Sequence, residues 1–245
     1  MRIGILGGGR AAWAYGCAWR RIGWPIDGVW LRSESQSKLP ELLHAPRKRI
    51  ESLDADLLLI AVSDRAIDEV ASLIPPTNAK IFHASGAKAS VRNGFSLHPL
   101  KALPPVGESS DLDDALLVFE GNHRDIAQSI AANIGARFAE VTKEQKQRYH
   151  AAAVFGSNYV AALLDIAQRH LGIESARDDL ANLARSAIEN WRAHDDGKRF
   201  TGPAARGDDE VIERHLAALS GDAQVAEIYR LLAAEIRRAI LAPPK

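Results

Sequence analysis

Two rhythms of apolar and polar residues divide the chain. Up to residue 142 the apolar positions gather in short runs separated by glycines, prolines and charges. The run "RIGIL" reads as a strand that stops in glycines, and "GGGRAAWAYGCAWRRIG" as a helix entered through them. "IDGVWLRS" is a second strand. "DADLLLIAVSD" is a continuous apolar run bounded by acids, the pattern of a central parallel strand covered on both faces. "AIDEVASLI" is an amphipathic helix stopped by Pro75-Pro76, and "AKIFHASGA" a strand ending in Ser85-Gly86. "GFSLHPLKAL" and "ALLVFEG" supply later strands or turns around His98-Pro99. Strands alternating with helices across short connections predict a parallel sheet.

From Glu144 the period becomes helical. "EQKQRYHAAAVFGSNYVAALLDIAQRHLG" keeps helical patterning to Gly172, which suits a C-cap, and predicts one long helix. "ARDDLANLARSAIENWRAHDDG" and "AQVAEIYRLLAAEIRRAIL" are further amphipathic helices, with the Gly/Pro-rich "FTGPAARGDDEVIERHLAAL" between them as a loop feeding another helix. The expected architecture is an α/β domain at 1–142 and an all-α domain at 143–245, with a cleft where they meet.

Composition narrows the function. The 245 residues are 47% hydrophobic and 25% charged with a formal net charge of zero, so neither a whole-surface nucleic-acid binder nor a membrane-surface protein is implied. No apolar run approaches the roughly 18–20 residues of a membrane span, and the N-terminus does not read as a signal peptide. The single cysteine, Cys17, forms no internal disulfide, and the histidines lack the short spacing of a zinc site, so no metal is expected. A cytoplasmic location is expected.

The spacing Gly7-x-Gly9-x-x-Ala12, directly after a strand, is a dinucleotide-binding fingerprint. Gly7 permits the tight turn, Gly9 lets backbone approach a pyrophosphate, and Ala12 allows close helix–strand packing. Gly8, Arg10 and Ala11 complete the turn, whose helix N-terminus offers amide donors to phosphate. The second strand ends in Arg32 and Ser33, with Glu34 beyond. A guanidinium and a hydroxyl suit a 2′-phosphate, so NADP is favoured over NAD. Val62 and Ser63 close the third strand on the cofactor side. "APRKRI" reads as a solvated turn.

Taken in order, "GILGGGRAA", "AVSDRAI", "HASGA", "SLHPLKAL", "YHAAAVFGSNY" and "TGPAARGD" resemble the Rossmann-like oxidoreductases whose helical C-terminal half is a domain of unknown function of the DUF2520 type. That family is similar to the group of ketopantoate reductase, 3-hydroxyisobutyrate dehydrogenase and pyrroline-5-carboxylate reductase, with 6-phosphogluconate dehydrogenase-like C-terminal domains. The resemblance implies NADP-linked hydride transfer at the interdomain cleft, residues 143–245 as a substrate-binding and dimerisation domain, and a homodimer. It implies that Ser85-Gly86 holds a substrate carboxylate. Asn158 matches the family's asparagine, but Val154 stands where the hydroxyacid dehydrogenases carry a lysine, and the protic group is displaced to His150.

On one straight helix His150 and Asn158 would lie about 12 Å apart and roughly 80° around the axis, whereas Ser157 would align with His150 to about 20°. The three are expected to line the cleft, with His150 as a candidate proton donor. His98 competes for that role, because its His-Pro step resembles one in prephenate dehydrogenases and Pro99 holds it extended. His83 is expected to be packed. Arg206 is a candidate for an anionic substrate group, or for an ion pair with Asp208 or Asp209. The expected function is an NADP-dependent oxidoreductase acting on a C=O or C=N bond of a small carboxylate-bearing substrate, with a ketopantoate-reductase-like activity as the candidate to test early; the alternative is an inactive NADP-binding regulatory or scaffold protein.

Overall fold

The computed structural model describes residues 1–32, 35–108 and 111–241. Its first compact unit runs from Met1 to Ser157 and its second starts at Asn158. In chain order the first unit contains β1 (Ile3–Leu6), α1 (Arg10–Arg21), β2 (Ile26–Trp30), α2 (Leu39–Leu43), β3 (Leu57–Ile60), α3 (Ile67–Leu73) and β4 (Lys80–His83). It continues through β5 (Phe95–Leu100), β6 (Leu116–Gly121), α4 (Arg124–Asn133), β7 (Arg137–Glu140) and α5 (Lys146–Phe155). The strands form one sheet in the order β2-β1-β3-β4-β5-β6-β7. The expected parallel sheet is present with one exception, since β5 and β6 pair antiparallel through a connection that adds no crossover helix. Helix α4 and strand β7 fall in a stretch to which the sequence pattern assigned no element.

Alternation along the central strands builds two cores. Ile3, Ile5, Leu57 and Leu59 face a large cluster that includes Tyr15, Trp19, Phe82, Phe95 and Phe119. Leu6, Leu58 and Ile60 face a smaller cluster under α3. A parallel sheet covered on both faces needs apolar residues at every position, which explains the uninterrupted "LLLI" of β3.

The ladder between β4 and β5 ends early. Phe82 pairs with Phe95 and His83 with Ser96, whereas β5 runs on beside β6 as far as Leu100. Proline cannot donate to a ladder, so Pro99 is tolerated where the β4 side has ended. The carbonyl of Leu97, also beyond the end of β4, accepts a 2.6 Å bond from the buried Tyr15 hydroxyl of α1. Burial holds the Tyr15 phenol well above its ordinary pKa, so it stays a donor.

The long helix expected from residue 144 to Gly172 is instead two helices, α5 and α6 (Asn158–His170). At Gly156-Ser157 the bonding tightens: Ser157 N donates to the Val154 carbonyl, and the Ser157 hydroxyl bonds back to the Ala153 carbonyl at 2.7 Å. Glycine followed by a back-bonding serine is a known cause of helix interruption. The one-helix geometry for His150 and Asn158 therefore does not hold. Residue 142 marks the change of periodicity, but the first compact unit continues through α5.

The second unit contains α6, α7 (Arg177–Ala193), α8 (Pro203–Arg206), α9 (Asp209–Ala218) and α10 (Ala223–Leu241). Its core is small, with Ala204, Ile212 and Ala233 buried among Leu216, Tyr229 and Ile236. No residue of α6 or α7 is buried. No helix among the described residues is long and apolar enough to cross a membrane.

Tyr15→Phe leaves the buried Leu97 carbonyl without its donor. The expected loss is about 1–2 kcal/mol of unfolding free energy, measured by urea denaturation, with the apolar packing of the ring retained.

Candidate functional site

The glycine turn between β1 and α1 sits at the carboxyl edge of the sheet, where the strand order reverses on either side of β1. Gly7, at φ +125°, is required twice over: its backbone is left-handed, and a Cβ there would lie 2.3 Å from the Ala61 carbonyl oxygen. A Cβ on Gly8 would meet the Ser37 hydroxyl, which bonds the Gly8 carbonyl at 3.1 Å. Gly9 differs, because a Cβ there would touch no protein atom closer than 3.8 Å. What a side chain at Gly9 would obstruct is the cleft itself. That cleft, about 480 Å³, is lined by Gly7 to Ala11, Leu31, Arg32, Val62, Ser63 and Ala66 among others. α1 begins at Arg10 with no acid in its first turn, and the first amides of a helix lack intrahelical acceptors. This cradle fits a pyrophosphate. Ala12 is fully buried.

Arg32 stands at the end of β2 and pairs with Glu69 of α3 at 2.8 Å, both side chains more than half exposed. Ser33 and Glu34 lie outside the described residues. The "APRKRI" stretch is more ordered than a solvated turn: it bridges to β2 at Val29↔Arg47, and Arg47 donates to the Arg32 carbonyl at 2.7 Å. Lys48 pairs with Asp27 at 2.9 Å.

A second cluster forms where β5 outruns β4. His98 Nδ1 lies 2.5 Å from the Tyr149 hydroxyl, and the His98 and His150 rings meet edge to face at 5.6 Å. Gly86 forms the floor, since a Cβ there would lie 2.4 Å from His150 Nδ1 and 3.0 Å from His98 Nε2. His150 Nδ1 is buried and has no hydrogen-bond partner among the described residues. Burial, then the neighbouring His150 and Lys146, lower the His98 pKa to about 4, with Asp64 opposing. His98 is therefore neutral at neutral pH. Burial raises the Tyr149 phenol well above its ordinary pKa, so it remains protonated. Asp64 follows Ser63 of the nucleotide cleft, so its effect on His98 links the two groups.

The loop after β4 is pinned at both ends. His83, fully buried as expected, accepts from Ser85 N through Nδ1 (3.2 Å) and reaches the Ala89 carbonyl through Nε2 (2.9 Å), which places its proton on Nε2. The Ser85 hydroxyl accepts from the amides of Ala87 and Lys88 at 3.2 and 2.9 Å, so it shapes its own turn. Beneath the cluster, Lys146 is fully buried with Glu120 3.8 Å away and donates to Ser96. Ser157, as described, donates to its own helix. Asn158 opens α6 and Arg206 closes α8, both in the second unit. Neither aspartate pairs with Arg206: Asp208 caps α9 through Val211 N, and Asp209 pairs with Arg237.

Sequence reasoning missed Tyr149, Lys146, Glu120 and Asp64. For the first two the signal was present, because Lys146, Tyr149 and His150 share one helix face at i, i+3 and i+4. Glu120 showed only as a lone acid closing an apolar strand.

Residues 116–236 match the family model described as a domain of unknown function, DUF2520. The match begins at β6 and ends within α10. The chain is also similar to a Bacteroides fragilis protein assigned as an NADP oxidoreductase, at 22% identity over 97% of this chain and 98% of that one, with a TM-score of 0.82. A Thermotoga maritima protein matches with the same identity and coverage and a TM-score of 0.76. A reductive aminase from Aspergillus terreus, solved with NADPH and ethyl levulinate, matches at 15% identity over 98% of this chain and 93% of that one, with a TM-score of 0.65. These likenesses establish the fold, a Rossmann-type sheet followed by a helical region. No curated protein matches the chain.

Folded His98 resists protonation down to about pH 4, whereas an unfolded histidine titrates near 6.5. The stability contributed by neutral His98 is thus complete above about pH 6.5 and lost as the pH falls toward 4, by at most about 3 kcal/mol. His83, lowered by burial, acts in the same direction. His98→Gln should flatten this dependence, read as the difference between urea midpoints at pH 7 and pH 4.5.

Proposed function

We propose that the chain is an NADP-dependent oxidoreductase acting on a C=O or C=N bond of a small, carboxylate-bearing substrate. The observation that carries this reading is the convergence of His98 and His150 on Gly86, with Tyr149 bonded to His98, in the unit that also holds the open Gly9 cradle. Bound nicotinamide would supply the hydride chemistry. The protein's part is to bind, orient and meet developing charge. Gly7, Gly8 and Gly9 with the first amides of α1 would hold the pyrophosphate, and Arg32 a 2′-phosphate, exchanging Glu69 for the phosphate oxygens.

In the reacting cluster a protonated Tyr149 donates to His98 Nδ1, so the neutral imidazole carries its proton on Nε2. That N–H lies on the Gly86 side of the ring, and it would donate to a carbonyl oxygen or imine nitrogen that gains negative charge. His150 Nδ1 offers a second group at the same place. A neutral His98 imidazole and a protonated phenol suit the protonation of a product anion at neutral pH without burying another cation.

The test is titration with NADPH and NADH, then an oxoacid and imine panel that includes ketopantoate, followed at the nicotinamide absorbance. Arg32→Ala should weaken NADPH binding about tenfold, the equivalent of one charge-assisted hydrogen bond, while leaving NADH nearly unchanged. Gly86→Ala should keep NADPH affinity within about threefold yet reduce turnover at least tenfold, since its Cβ displaces both imidazoles. Binding of neither nucleotide by the wild-type chain would end this reading. Tight binding without turnover on any substrate would favour the regulatory alternative.

We further propose a homodimer through the helical unit. Ile173, Leu183, Ile188, Trp191 and Leu231 are each at least half exposed there, an apolar excess that a lone chain leaves in water. Sedimentation should give twice the chain mass, and Leu183→Asp with Trp191→Asp should give the monomer.

A further inference from the structure

Lys146 occupies a place where a lysine is costly. It opens α5, a position from which a long cationic side chain ordinarily reaches solvent, yet it is 1% exposed. Its ammonium donates to Ser96 Oγ and faces the Glu120 carboxylate at 3.8 Å. Glu120 is itself bound from a third direction, accepting from Ser90 N at 2.9 Å and from the Ser90 hydroxyl at 3.1 Å. One ion pair therefore joins the start of α5, strand β5, strand β6 and the end of the loop that follows β4. The geometry relates it directly to the cluster above. Lys146, Tyr149 and His150 lie on one face of α5, and Ser96 and His98, two apart, on one face of β5. Gly86 lies within the loop that Ser90 anchors.

We propose that Lys146 is a positioning residue: with Ser96 and Glu120 it clamps α5 onto β5, and so sets the Tyr149–His98 hydrogen bond and the seat of both imidazoles on Gly86. This deepens the proposed function and takes its catalytic meaning from it. The groups acting on His98 are Lys146, Tyr149 and His150 from α5 and Asp64 from the segment after β3. Removing Lys146 together with Glu120 takes away the positive charge that lowers the His98 pKa, on which Glu120 has no counteracting effect, and loosens the hydrogen-bonded phenol. Both changes favour proton uptake by His98.

The test compares the full-length wild type with Lys146→Met/Glu120→Gln, in which no buried charge is left without its partner, and with Ser96→Ala, which keeps both charges but removes the bridging hydroxyl. NMR of the histidine rings across pH, and of the Tyr149 hydroxyl proton, is the readout that a merely structural role would not move. The expected result is a His98 midpoint raised by about one pH unit or more in the double variant, with a hydroxyl proton that exchanges faster with water. Ser96→Ala should change both in the same direction by less. NADPH affinity should stay within about threefold, because the glycine cradle is built on β1 and α1; kcat should fall at least tenfold with little change in KM. Wild-type His98 titration and an unchanged hydroxyl signal in both the double variant and Ser96→Ala would overturn the proposal. The NMR comparison decides it whether or not a substrate has been found, and the oxidoreductase reading fails separately, on absent nucleotide binding by the wild type.

Discussion

Because β4 stops at His83, β5 runs past its parallel partner with one side open, and the site is built on that side. Backbone groups there would be orphaned in a dry interior without donors from elsewhere. Pro99 has no N–H to satisfy, and Tyr15 of α1 supplies the Leu97 carbonyl. The same tyrosine thus ties the helix that starts at the glycine cradle to the strand that carries His98. A short strand beside a longer one turns a sheet edge into a recess without breaking the two cores.

Burial then sets the chemistry of the groups that line the recess. Desolvation, joined by the neighbouring His150 and Lys146, pushes His98 down, and desolvation pushes Tyr149 up, which leaves a neutral imidazole and a protonated phenol in contact at neutral pH. Desolvation lowers the Lys146 pKa as well, and the Glu120 carboxylate, whose other oxygen bonds are filled by Ser90, opposes that shift. Breaking such a pair by removing one partner costs more than the pair contributes, so the arrangement specifies geometry more than it stabilises the fold.

The two halves of the first unit's carboxyl edge carry separate tasks on one rigid sheet. Around β1 the demands are on backbone: Gly7 for a left-handed turn against Ala61, Gly9 for the absence of anything over the cleft. Around β5 the demands are on side chains, and Gly86 serves by leaving room for two imidazoles. Sites held by strands and by packed helices keep their geometry better than sites on free loops. The loop bearing Gly86 is made comparable by His83, Ser85 and Ser90.

The alternating strands and helices, the glycine turn with its strand, the change of period before α5 and the buried character of His83 were all legible in the chain. These features depend on residues a few positions apart, through periodicity, turn geometry and helix capping. The sequence also marked His98 and His150 as chemical residues. Packing is what brings them face to face across Gly86 and sets Tyr149 2.5 Å from His98; the fold also shows the helix from residue 144 broken at Gly156-Ser157. The bonds from α5 to β5 span 51 and 50 residues of chain, and no local pattern encodes a partner at that distance. The protonation states follow from the same cause: a pKa is set by the dielectric and charges that packing brings around a group, and the sequence position of a histidine carries neither.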